Sequence, residues 1–235
     1  MIGSTKYSQA SLQRTPRWNH FYWRYKRNSI LITPYSPPTF TQRIYIMHRV
    51  KEEVKTLKEK FDTPLNCLET GTIRSYHEKH ESTRHISETL GDDGHLKSLD
   101  IEPKHIEVSK NICGDVKNVS WIECDSLNYL KEDEDEYHFV LLDSVNDPWH
   151  IMNEFKLIAN RVHEGGSIMV DDAGTDAYGN YQPTGERFQA KKGWAVCDWC
   201  KSNDVDWQIV VGGHSYQVLI PVTKKNKDRF QKFNK

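Results

Sequence analysis

The chain alternates short apolar runs with amphipathic stretches. From Thr41 onward, Met47, Val50, Val54, Leu57 and Phe61 recur at three- and four-residue steps with Lys and Glu between them. That spacing predicts a helix that packs one face on the body and ends before Pro64. Residues 64–70 read as a first strand, ending in Glu69-Thr70-Gly71-Thr72. A polar loop follows, then a helix capped by Ser82 or Thr83 that carries Ile86 and Leu90 up to Gly91. Further strands are predicted at 95–101, 119–124 and 138–142, with helices after Pro103, after Asp125-Ser126 and around Ile151, Phe155, Ile158 and Val162. Gly165 and Gly166 read as the turn into a fifth strand, 167–170, which stops at Asp171-Asp172. Two β-rich runs, 205–211 and 215–222, join through Gly212-Gly213-His214 as a hairpin at the sheet edge. Strands that alternate with helices imply an α/β fold: a doubly wound, mainly parallel, seven-stranded sheet with helices on both faces and an antiparallel C-terminal hairpin.

The 235 residues suit one such domain with an appendage. No apolar run approaches the roughly 20 residues of a membrane span, and the N-terminus lacks signal-peptide character. Five scattered cysteines make no disulfide framework, so a cytoplasmic setting is expected. The net charge of −1 hides an asymmetry, because residues 1–50 hold eight of the 32 Lys and Arg and none of the 33 Asp and Glu. The expected organisation is therefore a basic aromatic arm over 1–40, a domain over 41–223 and a basic, frayed tail over 224–235. Within the arm, residues 17–27 mix cations with aromatic rings. Such a mixture suits stacking on nucleobases, an anionic membrane surface or a lid, and equally a packing arm that contacts the body or a second subunit of a homo-oligomer.

Carboxylates fall at strand ends. Glu69, Asp100, Asp125, Asp143 and the Asp171-Asp172 pair all lie at or just past the C-terminal ends of the predicted parallel strands, the edge where doubly wound sheets bind ligands. Solvation alone does not account for negative charge gathered on one rim. With these residues the stretch from Thr41 to Val222 resembles the class I S-adenosylmethionine (SAM) dependent methyltransferases, whose fold is Rossmann-like. The resemblance implies a methionine site at Leu68-Glu69-Thr70-Gly71-Thr72, bordered by Ser82 and Thr83. It further implies that Asp100 holds the ribose hydroxyls, that Asp125 and Ser126 lie beside the adenine, and that Asp143 stands near the reacting methyl. A second glycine, usual in that family's loop, is missing. The polar insertion before Ser82 makes Arg74, Tyr76, His77 and His80 candidates for the pocket.

The pattern is closest to the metal-dependent O-methyltransferases of the catechol, small-molecule and sugar type. That likeness implies a divalent cation, Mg²⁺ or another, bound by Asp143, Asp171 and Asp172, where it would lower the pKa of an acceptor hydroxyl. The lysine that serves such enzymes as base just after the fourth-strand acid is absent, and His150 is the substitute expected to take the proton. The plain alternative has Asp143 contacting SAM or substrate directly while Asp171-Asp172 caps a turn. Cys197 and Cys200 read as core residues of a helix. Transfer of a methyl group to a hydroxyl of a small molecule or sugar is the expected function. The alternatives are a nucleic-acid methyltransferase that grips its substrate with the arm, and a catalytically silent SAM-fold binding module.

Overall fold

Neighbours in sequence enter opposite sides of one sheet. Cys67, Phe139, Leu141, Met169 and Leu219 join one buried cluster, whereas Leu68, Val140, Leu142, Ile168, Val170 and Ile220 join another. This two-residue alternation of apolar positions on both faces is what a sheet covered twice requires. The structure, a computed structural model, describes residues 48–73, 81–173, 192–211 and 216–234. Over these, β1 (Asn66–Thr70), β2 (His95–Asp100), β3 (Val119–Glu123), β4 (Tyr137–Leu142), β5 (Val162–Val170), β6 (Gln208–Val211) and β7 (Tyr216–Pro221) form one seven-stranded sheet in the order β3-β2-β1-β4-β5-β7-β6. The first five are parallel, and β7 pairs antiparallel with both β5 and β6.

Helix α1 (His48–Lys60) buries Val50, Val54 and Leu57 against the first cluster, each worth roughly 1.5–3 kcal/mol of apolar transfer. It is joined there by α2 (Ser82–Leu90) through Ile86 and Leu90. The second cluster takes α5 (Pro148–Ile158) through Ile151, Phe155 and Ile158, and α6 (Trp194–Ser202) through Val196, Cys197 and Cys200. The chain order also includes α3 (Pro103–Cys113) and α4 (Ser126–Glu132). Burial pushes the Cys200 thiol far above the usual range, as befits a packing residue.

Three details differ from the sequence expectation. First, Gly165 and Gly166 lie inside β5 and not in a turn before it. Gly165 has φ +93°, and the β4 partners jump from Tyr137↔Val162 to Phe139↔Ser167, so the glycines form a bulge. Second, residues 131–137 read in the sequence as a mostly solvated acidic linker, and one member of that run is drawn into the body. Asp133 keeps only 5% of its side chain exposed and accepts from Lys97 Nζ (2.8 Å), Tyr137 Oη (2.9 Å) and Arg161. Third, the basic tail does not fray. Thr223 caps α7 (Lys224–Phe230) by accepting from Asn226 N (3.2 Å), and Phe230 is fully buried beside Phe155 and Trp199. The described residues begin at His48, so the arm over 1–40 falls outside them.

Candidate active site

The strand order reverses between β1 and β4, and the ends of these two strands meet. Gly71 N–H donates to Leu99 O (2.8 Å) and Asp143 N–H donates to Thr70 O (2.9 Å), extending both ladders by one residue. Gly71 has φ +84°, and a Cβ there would press on the Asp143 carbonyl oxygen and lie 2.8 Å from its carbon and 2.9 Å from Ser144 Cα. Only glycine fits, on grounds of both dihedral and space. A cleft of about 220 Å³ opens beside it, with Asp100 and Ile101 on one wall, Asp125, Ser126 and His150 on another, and Ser144 and Val145 closing it.

Asp100 is well anchored. Its Oδ2 accepts from Thr72 N (3.1 Å), while Oδ1 accepts from Glu102 N (2.9 Å) and stands 3.2 Å from His105 Nδ1. A carboxylate offers about four lone-pair sites, so among the described residues Asp100 keeps one for a ligand in the cleft. On the opposite wall Asp125 caps α4 by accepting from Asn128 N (2.8 Å). Behind it lies Glu154, fully buried, which accepts from Ser126 Oγ and from Thr70 Oγ1 (3.1 Å). His150 Nε2 sits 3.1 Å from Ser126 Oγ and 3.3 Å from Glu154 Oε1. The Glu154 carboxylate, as hydrogen-bond partner, holds the His150 imidazolium above the ordinary histidine pKa, with partial burial working against it. One buried acid thus ties β1, α4 and α5 into a single wall.

Glu69 points away from the cleft. It is fully buried and accepts from Ser82 Oγ, Thr83 Oγ1 (2.6 Å) and Ser98 Oγ (2.9 Å). Burial raises its pKa to about 6 despite those three hydroxyls, and the Asp100 charge adds to the rise. Thr72 Oγ1 donates to Ser109 Oγ (2.7 Å) and is 3.2 Å from Thr83 Oγ1. This hydroxyl and carboxylate cluster welds the end of β1 to the start of α2.

The third acid group holds a cation of its own. Lys192 Nζ donates to Asp143 Oδ1 and lies 3.5 Å from Asp171 Oδ2, with only 3% of the lysine side chain exposed. Asp171 Oδ1 accepts from Gln217 Nε2 (3.0 Å). Burial disfavours the ammonium, but Asp143, Asp171 and Asp172 outweigh it and keep Lys192 above the ordinary lysine pKa.

Of the residues expected to hold cofactor, Gly71, Asp100, Asp125 and Ser126 line one cleft, whereas Glu69, Thr72, Ser82 and Thr83 stand behind it as scaffold. His150 belongs to the wall with Asp125 and Ser126. The expected metal ligands Asp143, Asp171 and Asp172 do not suit a divalent ion, because an ammonium stands between the first two. Among the described residues no group of three His, Cys, Asp or Glu side chains is arranged to take a metal. Arg74, Tyr76, His77 and His80 fall outside the described residues. Lys192 and Glu154 were not expected. Lys192 follows Lys191 in a stretch whose pattern gives no reason to single it out, and Glu154 reads as an ordinary polar position of a helix.

No protein-family model matches the chain, and no curated protein matches it. Solved structures do match in three dimensions. The O-methyltransferase TomG from Streptomyces achromogenes, involved in tomaymycin synthesis and solved with SAM, superposes with a TM-score of 0.51 at 18% identity, over 74% of this chain and 90% of that one. The O-methyltransferase from Bacillus cereus, solved with S-adenosylhomocysteine (SAH), gives 0.52 at 16% identity over 80% and 84%. The chain has the class I methyltransferase fold. An rRNA methylase from Streptococcus thermophilus shares this fold, with a TM-score of 0.54 at 10% identity over 76% of this chain and 96% of that one. The cleft at the ends of β1 to β4 lies at the crevice where a doubly wound sheet receives its ligand.

Proposed function

We propose that the protein transfers a methyl group from SAM to a hydroxyl oxygen of a small molecule or sugar. The observation that carries this reading is the cleft beside Gly71, with Asp100 on one side and the Asp125–Ser126–His150 wall on the other. SAM would supply a sulfonium-bound methyl that an oxygen nucleophile attacks, an O–C bond forming as the C–S electron pair leaves on a neutral sulfide. Asp100 accepts a ribose hydroxyl at its remaining lone pair. Gly71 brings the backbone close enough for the methionine part to lie against the end of β1. Ser126 and His150, held by Glu154, shape the adenine end.

His150 Nε2 is engaged by Ser126 and Glu154, which favours a place in the cleft wall over the role of base. Asp143, about a third exposed, is the carboxylate next to the ends of β1 and β4, placed to orient the acceptor hydroxyl beside the methyl. Its pairing with Lys192 keeps that side chain in one orientation. The protein's part in catalysis is then mostly positioning.

The test is incubation with methyl-labelled SAM and a panel of phenols, catechols and sugars, read as label in an ether product. Label found only in nitrogen- or carbon-methylated products would reject the hydroxyl acceptor. A second reading has one specific support, the eight cations and no acids of residues 1–50 together with rRNA methylases among the structural neighbours. Under that reading, RNA binds with an affinity that falls steeply with salt and takes up the label.

A further inference from the structure

Two acids, Asp143 and Asp171, stand just past the ends of β4 and β5, and a buried lysine lies between them. Lys192 sits on the turn that opens α6. That turn is fastened to the end of β5 by Gly193 N–H, which donates to Asp172 O (2.8 Å). A Cβ at Gly193 would lie 3.0 Å from Ala173 Cα and 3.1 Å from Asp172 O, so the turn lies flat against the strand end and aims the lysine inward. Asp172 itself takes a left-handed backbone, φ 51°, a conformation Asp tolerates, and this bends the chain after Asp171. The ammonium then meets Asp143 from β4 and Asp171 from β5, and Gln217 on β7 holds the other oxygen of Asp171.

We propose that Lys192 is the resident cation of this site: it neutralises and orients Asp143 and Asp171 in place of a divalent ion, so that methyl transfer here is independent of added metal. This rests on the methyltransferase reading, and it assigns to an internal side chain the charge that an all-carboxylate site takes from solution. Lys192 is a positioning residue, since it is almost wholly buried. A second cation a few ångströms away would be repelled by the buried ammonium, and a divalent ion twice as strongly as a monovalent one. Removing the ammonium lifts that opposition and leaves Asp143 and Asp171 as an unneutralised pair of oxygen donors, which raises their affinity for a divalent ion.

The experiment is a Mn²⁺ titration of the full chain followed by electron paramagnetic resonance, with SAH binding measured in parallel by calorimetry. Wild type is expected to leave Mn²⁺ free in solution, and SAH binding is expected to be the same with EDTA or Mg²⁺. Lys192→Met is expected to bind Mn²⁺ at least about tenfold more tightly than wild type. Stoichiometric Mn²⁺ binding by wild type, abolished in Asp171→Asn, would overturn the proposal whether or not Lys192→Met folds. So would a well-folded Lys192→Met, judged by circular dichroism, that gains no Mn²⁺ affinity. Absence of SAH binding to wild type under every condition would instead sink the methyltransferase reading, and the two failures remain distinct.

Discussion

Replacement of Gly71 by alanine probes the junction on which the site depends. The backbone there has φ +84°, where an L-residue costs about 1–2 kcal/mol. The new Cβ would also press on the Asp143 carbonyl and approach Ser144 Cα to 2.9 Å, so the ends of β1 and β4 must separate. Separation threatens the Asp143 N–H bond to Thr70 O (2.9 Å), worth about 0.5–1.5 kcal/mol. Together these give about 2–3 kcal/mol, which in a domain of this size corresponds to a fall in Tm of about 5–10 °C. Gly114→Ala is the control, because Gly114 has φ +70° but nothing within 4 Å of the added carbon. It bears the dihedral cost without the collision. Thermal unfolding by circular dichroism and SAH calorimetry should therefore show both variants destabilised, Gly71→Ala the more so, and SAH affinity lowered only in Gly71→Ala. Equal Tm losses with undiminished SAH binding in Gly71→Ala would refute the claim that the β1 and β4 ends are packed back to back beneath the ligand.

Other consequences are as open to measurement. The raised pKa of Glu69, about 6 against an ordinary 4.5, makes its contribution to stability full below pH 4.5 and lost as pH rises through 6. That difference amounts to about 2 kcal/mol, so the gap between wild type and Glu69→Gln in denaturant titrations should change by about this much from pH 4.5 to 7.5; a constant gap contradicts it. His150 should titrate above free histidine because of Glu154, so the stability from its charged form is complete below the free-histidine value and fades as pH passes the higher one. In ring-proton NMR, Glu154→Gln should move that titration down, and an unmoved midpoint would deny the coupling. Asp133→Ala removes the carboxylate that Lys97 and Arg161 share, both less than a fifth exposed, while Lys97 keeps Asp135 (2.6 Å), and should cost about 1.5–3 kcal/mol in urea unfolding. A loss below about 1 kcal/mol, the range of a surface ion pair, would mean that the network is not a buried one.

The sheet was legible because its signals are local. A two-residue alternation in Cys67–Leu68 and Phe139–Leu142 shows both faces buried, and an acid after each apolar run marks the edge where the strands stop. Gly71 was legible for the same reason, as a break between strand and helix. What the sequence hid depends on contacts across distance. Gly165 and Gly166 look like a turn until β4 is seen to pair on both sides of them. Phe230 looks like part of a solvated basic end until Phe155 and Trp199 are found to cover it. The acids after β4 and β5 were found, but not their partner. Lys192 is 49 residues from Asp143 in sequence, and no pattern of spacing announces an ammonium that pairs with acids at two strand ends. Glu69 was read as ligand floor because acids at strand ends share one sequence signature whether they face the cleft or the hydroxyls of Ser82, Thr83 and Ser98.

Calorimetric titration of the wild-type chain with SAH, repeated on Asp100→Asn, tests the central claim most directly. Asp100 spends one oxygen on Thr72 N and the other on Glu102 N and contributes a charged acceptor to the cleft; Asn loses the charge and one of the two oxygens, so unfolding of both proteins is measured alongside, and a hydrogen bond to a charged group is worth about 1.5–3 kcal/mol. The account predicts one SAH bound per chain, with affinity roughly tenfold to a hundredfold weaker in the variant. Binding that is undetectable in wild type, or equally tight in both proteins, would contradict it.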